Sequence, residues 1–428
     1  MISFPKLKKM SFLVYGLGSS GQSVVRFFKK KNINNYKVWD DKDKKLFKNN
    51  RAVDLNNALN KVDYIVLSPG ISLKNSKNKN KLIKFKKKII TDIDLFYLTN
   101  KKFKSILVTG TNGKSTTCKL IAHLLKKNKY KVNLGGNIGT PILDLKVKKN
   151  IYNVIEASSF QLSHSKFICP DYAFLLNITN DHLDWHKDIN DYINSKFKIF
   201  SLQKKNQFAI TNNELKKKFR KKNFLSKLIN IKFKEYNKIK NRIKNVYLRS
   251  KINDVNMSYV YTFSKLLKIR EKNFVTAMRS FVGLPHRYEI FLKKKNIVFV
   301  NDSKATSFEA TKFALFSSKN IYWILGGLPK KNDKIILNKL NQNIVKAYII
   351  GKNISFFKKQ IKNKISYSVS KNLNNSLTEI MKDIKSRNMK DCTILLSPAA
   401  ASYDQFKNFE KRGNEFKKIS KFYARKYI

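Results

Sequence analysis

The segment from Ser105 to Lys127 constrains the fold of this chain more than any other part of its sequence. It begins with an apolar run typical of a buried strand, continues with a loop that contains Gly110 and Gly113, and ends with apolar residues at helical spacing. The glycines allow backbone N–H groups to surround phosphate oxygens, and Lys114 adds a mobile positive charge. The segment therefore predicts a strand, a loop and a helix that bind a nucleoside triphosphate.

This loop departs from the general phosphate-loop pattern at one position. The pattern has a glycine five residues before Gly113, and the chain has Val108 there. A glycine-containing turn without a nucleotide is therefore the alternative interpretation. If the loop binds a nucleotide, the hydroxyl of Ser115 is placed to bind a magnesium ion. The predicted nucleotide contacts are Gly110, Thr111, Asn112, Gly113, Lys114, Ser115 and Thr116.

Length and charge narrow the class of protein. A chain of 428 residues is too long for one ordinary core, so we expect two or three domains. Its formal net charge of +62 would attract polyanions such as nucleic acids. However, the lysines are mixed with Asn and Ile throughout, as in residues 74–81, which is typical of A/T-rich codon bias and of solvated faces. We therefore expect no specific nucleic-acid partner, and non-specific anion binding as a side effect.

Cysteine usage and hydropathy indicate a cytoplasmic protein. Cys118, Cys169 and Cys392 lie far apart and lack metal-ligand spacing, as expected for buried thiols in a reducing compartment. No uninterrupted apolar run approaches the ~20 residues that cross a bilayer, so we expect no membrane insertion. We also expect the protein to be a monomer.

The first hundred residues carry the pattern of a Rossmann-like domain. An apolar strand at 11–15 precedes the glycine-rich turn 16–21, a helix follows, and a strand at 36–39 ends in two aspartates. This βαβ unit matches the dinucleotide fingerprint, although the same turn also accommodates the diphosphate of a nucleotide sugar. Another strand at 63–67 ends in Ser68-Pro69-Gly70, at the edge of the sheet where ligands bind. We expect the lysine-rich segment after this turn to be a solvated loop.

Two further strands place polar residues beside the phosphate loop. A strand at 153–155 ends in Glu156, where a magnesium ligand is expected. A second apolar strand, at 172–176, leads to Asp181-His182-Leu183-Asp184. A lone histidine is by default a surface residue, but the two flanking aspartates at a strand end favour a role for His182 in the site.

Several motifs, in the same order along the chain, resemble those of the Mur ligases, the ATP-dependent amino-acid-adding enzymes of peptidoglycan precursor synthesis. They are the loop 109–115, Gly136-Asn137-Ile138-Gly139, Glu156 with 158–162, the motif at 181–184, and the segment 192–199. The glycine loop with Val108 is the form that this family uses. The resemblance implies an α/β fold of three domains: a Rossmann-like N-terminal domain at 1–100, a central P-loop ATPase-like parallel-sheet domain at 101–283, and a C-terminal Rossmann-like α/β domain at 284–428.

The C-terminal motifs resemble those of the family members that add D-glutamate. These motifs lie at 301–306, 324–330 and 396–413. The resemblance implies that the following residues bind D-glutamate or close the domain over ATP: Lys304, Thr306, Lys330, Ser402, Tyr403 and Phe409. It also implies contacts with a UDP-linked substrate from Gly16, Leu17, Gly18, Ser19, Gly21, Asp41, Lys42, Ser68, Gly70, Asn137, Ser158 and Gln161.

The resemblance implies a reaction and its catalytic residues. ATP would phosphorylate the alanyl carboxylate of UDP-N-acetylmuramoyl-L-alanine, and the amine of D-glutamate would displace phosphate from the resulting acyl phosphate. Lys114 would offset charge on the transferring group, and two magnesium ions would assist. Ser115 and Glu156 would hold one ion, and His182 with a carbamylated Lys196 would hold the other. The alternative for Lys196 is a solvated lysine on a helix.

Other nucleotide contacts and other functions complete the set of predictions. The resemblance implies further ATP contacts at Asn273, Arg287 and Asp302, although Ile269 and Arg270 replace the His-Asn pair that the family usually has.

One alternative function is a folylpolyglutamate synthase, but here a whole βαβ domain precedes the nucleotide loop. An NAD-dependent oxidoreductase would leave the Lys114 loop unexplained, and a basic nucleic-acid-binding protein would explain only the charge.

Overall fold

A computed structural model describes residues 4–43, 45–100, 103–245, 247–330, 333–336, 342–389 and 391–428, without the side chains of residues 251 and 252. Within these ranges the chain forms three β-sheets with accompanying helices. It divides into two compact units between Phe281 and Val282, of which the first contains two sheets and the second contains one. No helix in this described part of the chain is both long enough and apolar enough to cross a bilayer.

The first sheet is parallel and has the strand order β2-β1-β3-β4. Its strand β1 alternates between two hydrophobic clusters, because Phe12 and Val14 enter one cluster whereas Leu13 and Tyr15 enter the other. This burial on both faces explains the continuous apolar run of the strand. The elements of this part are α1 (Phe4–Lys9), β1 (Phe12–Tyr15), α2 (Ser19–Lys30), β2 (Tyr36–Trp39), α3 (Leu55–Lys61), β3 (Tyr64–Leu67), α4 (Lys79–Lys84), β4 (Ile89–Ile90) and α5 (Asp92–Thr99).

The second sheet is also parallel and has the order β10-β9-β8-β5-β7-β6. Strand β5 lies between β8 and β7, so the segments that follow these three strands meet at one edge of the sheet. Its strands are β5 (Lys104–Thr109), β6 (Lys131–Gly136), β7 (Ile151–Glu156), β8 (Tyr172–Leu175), β9 (Phe208–Thr211) and β10 (Lys227–Asn230). Its helices are α6 (Lys114–Lys127), α7 (Ser159–His164), α8 (Ile189–Phe197), α9 (Asn213–Lys221), α10 (Phe233–Lys240), α11 (Lys251–Leu266) and α12 (Glu271–Arg279).

The third sheet forms the core of the second compact unit and has the order β11-β12-β16-β13-β14-β15. The edge strand β11 runs antiparallel to β12, and the remaining pairs are parallel. Its strands are β11 (Glu289–Lys294), β12 (Ile297–Asn301), β13 (Ile321–Gly326), β14 (Ile344–Ile350), β15 (Tyr367–Lys371) and β16 (Cys392–Leu396). Its helices are α13 (Phe308–Ser317), α14 (Ile354–Ile361), α15 (Leu373–Ser386) and α16 (Phe409–Tyr427).

The strand, loop and helix predicted around the glycine loop are confirmed by β5 and α6, and the three sheets confirm the predicted α/β architecture. The domain boundaries after residues 100 and 283 stay predictions. The expectation of a solvated loop after Gly70 is wrong in two respects. Part of this lysine-rich segment forms α4, which buries Leu82, and its beginning is hydrogen-bonded to the loop after Leu183. The lysine-rich composition does not indicate these contacts. Long lysine side chains can cover a surface while one apolar residue anchors the helix.

Candidate active site

The glycine loop connects β5 directly to the N-terminus of α6. Gly113 caps the helix with a positive φ of 83° and without a side-chain hydrogen bond, so the first N–H groups of α6 lack a side-chain cap. A Cβ atom at Gly113 would lie 2.2 Å from the Oδ1 atom of Asn256. The φ angle therefore favours glycine, and a larger residue would also have to displace the amide of Asn256. An uncapped helix N-terminus beside a lysine is a suitable cradle for phosphate oxygens.

The segment after β8 braces the first half of this loop. The backbone N–H of Thr111 donates to the carbonyl of Asn177 at 3.0 Å, and the N–H of Asn112 donates to Oδ1 of Asn177 at 2.9 Å. The hydroxyl of Thr111 lies 2.9 Å from the hydroxyl of Tyr192 on α8. These contacts use the amides of Thr111 and Asn112 to hold the loop. The N–H groups of Thr111 and Asn112 are therefore already hydrogen-bonded, and the N–H groups at the start of α6 remain candidates for phosphate binding.

Two lysines converge on the carbonyl oxygen of Gly110. The Nζ atoms of Lys114 and Lys196 each donate to it at 2.8 Å, and Nζ of Lys114 also donates to the carbonyl of Thr111 at 2.7 Å. The side chain of Lys196 stands over the ring of Tyr192, and the residue is only 1% exposed. Burial, reinforced by repulsion from Lys114 and opposed by Asp181, lowers the pKa of Lys196 to about 6. The alternative of a solvated helical lysine is therefore wrong for this residue.

Glu156 ends β7 and lies beside the phosphate-loop strand. It pairs with Val108 in the sheet and is 2% exposed. Its Oε1 atom accepts a hydrogen bond from Nδ2 of Asn137 at 2.9 Å, whereas its Oε2 atom is buried without a hydrogen-bond partner among the described residues. A buried carboxylate oxygen without a donor is costly, and a hard cation with its bound water would satisfy it.

His182 lies in the loop after β8, with a left-handed φ of 56°. Its Nε2 atom is 3.6 Å from the carboxylate of Asp181, and its ring packs against Phe160 with the ring centres 4.8 Å apart. Burial lowers the pKa of His182, and the positive charges of Lys114 and Lys196 lower it further, against the effect of Asp181. The side chain is 40% exposed, so a neutral imidazole remains open to a ligand.

The N-terminal turn gathers its predicted residues at the ends of β1, β2 and β3. The hydroxyl of Ser68 donates to the carbonyl of Gly16 at 2.7 Å, and a Cβ atom at Gly21 would lie 1.9 Å from the same oxygen. The N–H groups of Leu17 and Lys42 both donate to Asp40, at 2.6 and 2.9 Å. Gly18 caps α2, Ser19 begins it, and Gly70 follows β3 on the surface.

The structure gives Asp41 a role different from that of Asp40. Asp41 accepts hydrogen bonds from the hydroxyl of Tyr15, the indole of Trp39 and the amide of Asn78. Asp40, which the sequence analysis did not single out, holds the glycine turn. Both residues follow β2, and their carboxylates accept hydrogen bonds from different partners. The adjacent Asp pair indicates an acidic residue at this position, but it does not indicate which of the two faces the turn.

Ser158 and Gln161 are joined in a capping box at the start of α7. The hydroxyl of Ser158 accepts from the N–H of Gln161 at 3.2 Å, and Nε2 of Gln161 donates to the buried Asp92 at 3.1 Å. These contacts give both residues a structural role. Their predicted contact with the UDP-linked substrate stays a prediction.

A segment of the N-terminal part holds the backbone of the loop that follows His182. We call residues 72–75 the clamp segment. The hydroxyl of Ser72 donates to the carbonyl of Trp185, Nζ of Lys74 donates to the carbonyls of Leu183 and His186, and Nδ2 of Asn75 donates to that of Asp184. Sequence reasoning missed this contact, since it joins segments more than a hundred residues apart.

In the second compact unit, the predicted residues surround the end of β12. The carboxylate of Asp302 accepts from the N–H of Tyr288 at 3.0 Å and from the hydroxyl of Ser397 at 2.7 Å. Burial raises the pKa of Asp302 to about 7. Nε of Arg287, another predicted ATP contact, is buried without a hydrogen-bond partner among the described residues. Nζ of Lys304 stands 4.6 Å from the centre of the Phe409 ring.

The remaining predicted D-glutamate residues lie on two paired loops and one turn. Leu328 and Ala401 exchange backbone hydrogen bonds of 2.9 Å, which brings together the loops that carry exposed Lys330 and buried Ser402. Tyr403 is exposed, and Thr306 is partly buried in the turn after β12.

Sequence reasoning missed Arg412, whose buried guanidinium donates to the carbonyls of Ser303 and Ala400 at 2.7 and 2.9 Å. It therefore fixes the turn beside Lys304.

Comparison with known proteins places these observations in one family. The model of the Mur ligase middle domain matches residues 108–276, and that of the Mur ligase MurD-like N-terminal domain matches residues 10–90. A protein from Rickettsia prowazekii named UDP-N-acetylmuramoylalanine--D-glutamate ligase is 37% identical, over 97% of this chain and 98% of that protein. The chain belongs to the Mur ligase family.

Other members agree with this assignment. The identically named ligase of Buchnera aphidicola is 35% identical over 96% of this chain and 97% of its own length. The solved structure of a MurF ligase from Thermotoga maritima in complex with ADP covers 99% of this chain and 99% of its own, with a TM-score of 0.58 and 16% identity. That likeness shows a shared Mur ligase fold. The resemblance inferred from the motifs is thus confirmed.

The side chains of Ser115 and Glu156 suit magnesium as they are, whereas His182 and Lys196 would need a chemical modification of the lysine. Within the described ranges, no three His, Cys, Asp or Glu residues gather as a metal cluster. Ser115 and Glu156 offer oxygen donors, which suit magnesium because this ion keeps several waters and phosphate oxygens in its shell. His182 and Lys196 do not suffice as they stand, since both offer nitrogen and magnesium prefers oxygen ligands. Asn273 lies exposed on α12, and its predicted contact with the adenine stays a prediction.

Proposed function

We propose that this Mur ligase family member joins D-glutamate to UDP-N-acetylmuramoyl-L-alanine, with ATP as the energy source, during peptidoglycan precursor synthesis. The substrate assignment rests on relatives named UDP-N-acetylmuramoylalanine--D-glutamate ligase, which align with this chain over nearly their whole length. The reaction class rests on one structural observation. Lys114 and Lys196 converge on the glycine loop, next to a buried carboxylate at the end of the neighbouring strand.

The chemistry follows from the poor reactivity of a carboxylate. Transfer of the γ-phosphoryl group of ATP to the alanyl carboxylate forms an acyl phosphate and ADP, and the amine of D-glutamate then attacks the activated carbonyl. Phosphate leaves from the tetrahedral intermediate, and the amine loses a proton as the amide forms. Lys114, at the start of α6, offsets the charge that moves between the oxygens during phosphoryl transfer.

Magnesium would be bound by Ser115 and Glu156, and by His182 with a modified Lys196, where it would act as a Lewis acid towards phosphoryl oxygens. The buried, unpartnered Oε2 of Glu156 supports the first position. The low pKa of Lys196 supports the second, because only a neutral amine adds carbon dioxide. In that addition the neutral amine nitrogen bonds to carbon and loses a proton, which leaves a carbamate with anionic oxygens in place of the amine.

We further propose that each of the three predicted domains binds a different substrate. Residues 1–100 would hold the UDP group at the glycine turn 16–21, residues 101–283 would hold ATP, and residues 284–428 would hold D-glutamate. The paired loops that carry Lys330 and Ser402 support the last assignment, because a dicarboxylate needs cations and hydroxyl donors. We propose a monomer in the cytoplasm, where the nucleotide substrates are made and where free cysteines remain reduced.

One assay tests this function. The purified chain is incubated with ATP, magnesium and UDP-N-acetylmuramoyl-L-alanine, together with a single amino acid, and phosphate release and product mass are measured. We expect turnover with D-glutamate and background rates with L-glutamate, L-alanine or glycine. Turnover with folate and glutamate, or phosphate release that depends on another amino acid, would refute the substrate assignment.

A further inference from the structure

The first compact unit contains an open pocket of about 680 Å³ that the proposed reaction does not use. It lies between the segment that leads into β4 and the ends of α7 and α8. The residues that line it are Ile83, Lys84, Lys86, Lys87, Ser163, His164, Lys166 and Lys198. Five of these are lysines, and none of the described lining residues is acidic.

Hydrogen bonds to the backbone fix two of these lysines at the pocket. Nζ of Lys166 donates to the carbonyl of Lys87, and Nζ of Lys198 donates to the carbonyl of Ser163. The nearby carboxylate of Asp94 is buried and accepts from the backbone N–H groups of Lys166 and Phe167, at 2.8 and 2.7 Å. Backbone amides, and not the ammonium groups, thus occupy Asp94. The five lysines of the pocket therefore outnumber Asp94 and Asp191, the two acidic side chains that attract them through space.

His164 supplies the second, independent observation. Its Nε2 atom is buried and has no hydrogen-bond partner among the described residues, while its ring packs against Trp185 with the ring centres 5.7 Å apart. Burial, together with the neighbouring Lys198 and Lys86, lowers the pKa of His164 to about 3, so the ring is neutral. A neutral imidazole can still donate one hydrogen bond, and an orphaned buried nitrogen is rare in folded proteins.

The pocket differs from the phosphate loop in its contacts. Lys196 turns towards the carbonyl of Gly110, whereas Lys198 turns towards the carbonyl of Ser163 at the end of α7. None of the residues predicted to bind ATP, magnesium or the UDP group lines the pocket.

We propose that this pocket binds a small phosphate-bearing anion with two or more negative charges. Nε2 of His164, which is closed to solvent in this structure, would donate to one phosphate oxygen once the lysine side chains at the pocket turn towards the anion, and the ammonium groups of Lys86, Lys87 and Lys166 would surround the remaining charge. Lysine binds phosphate as a mobile point charge, which suits an open pocket with a lysine rim. The pocket volume accommodates a diphosphate with room for water. The site is a second anion site that is independent of the proposed ligase activity.

Calorimetric titration of the whole chain with pyrophosphate tests this proposal, in buffers matched in ionic strength with chloride. Every arm carries Lys114→Ala, because the phosphate loop would otherwise bind the probe as well. The parent is compared with the double variant Lys86→Gln/Lys166→Gln and with His164→Leu. The leucine removes the ring N–H donor and fills the same space with an apolar side chain. The matched control is Lys217→Gln/Lys218→Gln, which removes the same charge from an exposed face of α9.

In the parent we expect saturable binding of one pyrophosphate at the pocket, in addition to the binding expected at the glycine turn 16–21. Binding should weaken about tenfold or more in each of the two pocket variants, because each loses charge-assisted or buried hydrogen bonds. The control should change affinity by less than about twofold, since distant exposed charges are screened. Equal losses in the pocket and control variants, an unchanged affinity in His164→Leu, or an absence of saturable binding would overturn the proposal. Circular dichroism and the single variant Lys86→Gln, at an exposed residue, guard against loss of folding.

Discussion

Replacement of Lys196 by alanine is the most informative perturbation of the proposed site. The residue is 1% exposed, and burial beside Lys114 lowers its pKa from 10.5 to about 6. Near pH 7.5 an ordinary lysine is neutral in roughly one molecule in a thousand, whereas an amine with this pKa is almost entirely neutral. The fold thus raises the population that can add carbon dioxide by roughly a thousandfold. This gain explains how one lysine among many could be modified selectively.

The assay combines turnover with a direct view of the carbamate. We expect Lys196→Ala to lose about a hundredfold or more in turnover, and to regain part of it with formate or acetate, which supply carboxylate oxygens in the vacated space. With ¹³C-labelled bicarbonate, the chain that retains Lys196 should show a carbamate NMR signal. This signal should weaken below about pH 6, where the amine is protonated. Lys205→Ala, at an exposed lysine, should keep both activity and signal. A fully active Lys196→Ala protein, or the same carbamate signal in its spectrum, would refute the reasoning.

The same residue should cost stability. Its pKa is lower in the folded chain than in the unfolded chain, so between about pH 6 and 10.5 the unfolded chain binds more protons and stability rises with pH. In buffer free of carbon dioxide, Lys196→Met should therefore raise the Tm at pH 7, and this gain should shrink towards pH 10. Thermal unfolding of both proteins across this range measures the effect. A gain that does not depend on pH would contradict the lowered pKa.

Three further predictions concern other residues. Glu156→Gln should lower turnover about a hundredfold and weaken the dependence on magnesium, because its buried Oε2 loses its charge; an unchanged magnesium titration would remove Glu156 from the metal site. Lys330→Ala should raise the KM for D-glutamate far more than the KM for ATP, with Lys358→Ala as the exposed control in the same unit, and equal effects on both KM values would argue against it. Lys74→Met should lower kcat and speed hydrogen exchange at Leu183, since the clamp segment loses its cation, and unaltered exchange there would rule out the clamp.

The sequence by itself determined the local frame of this protein. The apolar run, the two glycines and the helical spacing between Ser105 and Lys127 are local patterns, and local patterns fix a strand, a tight loop and a helix. The left-handed φ of Gly113 belongs to the same class, because backbone sterics are a property of a single residue. The order of the motifs along the chain also sufficed to identify the Mur ligase family.

The tertiary structure decided which of these residues are chemically unusual. The family-like segment 192–199 singles out Lys196 in the sequence, but it does not show the low pKa, which comes from burial and from the remote Lys114. The clamp segment and the pocket around His164 likewise join parts of the chain that are remote in sequence. Desolvation and the charge of distant neighbours depend on what surrounds a side chain after folding, and a composition rich in lysine conceals which few are buried.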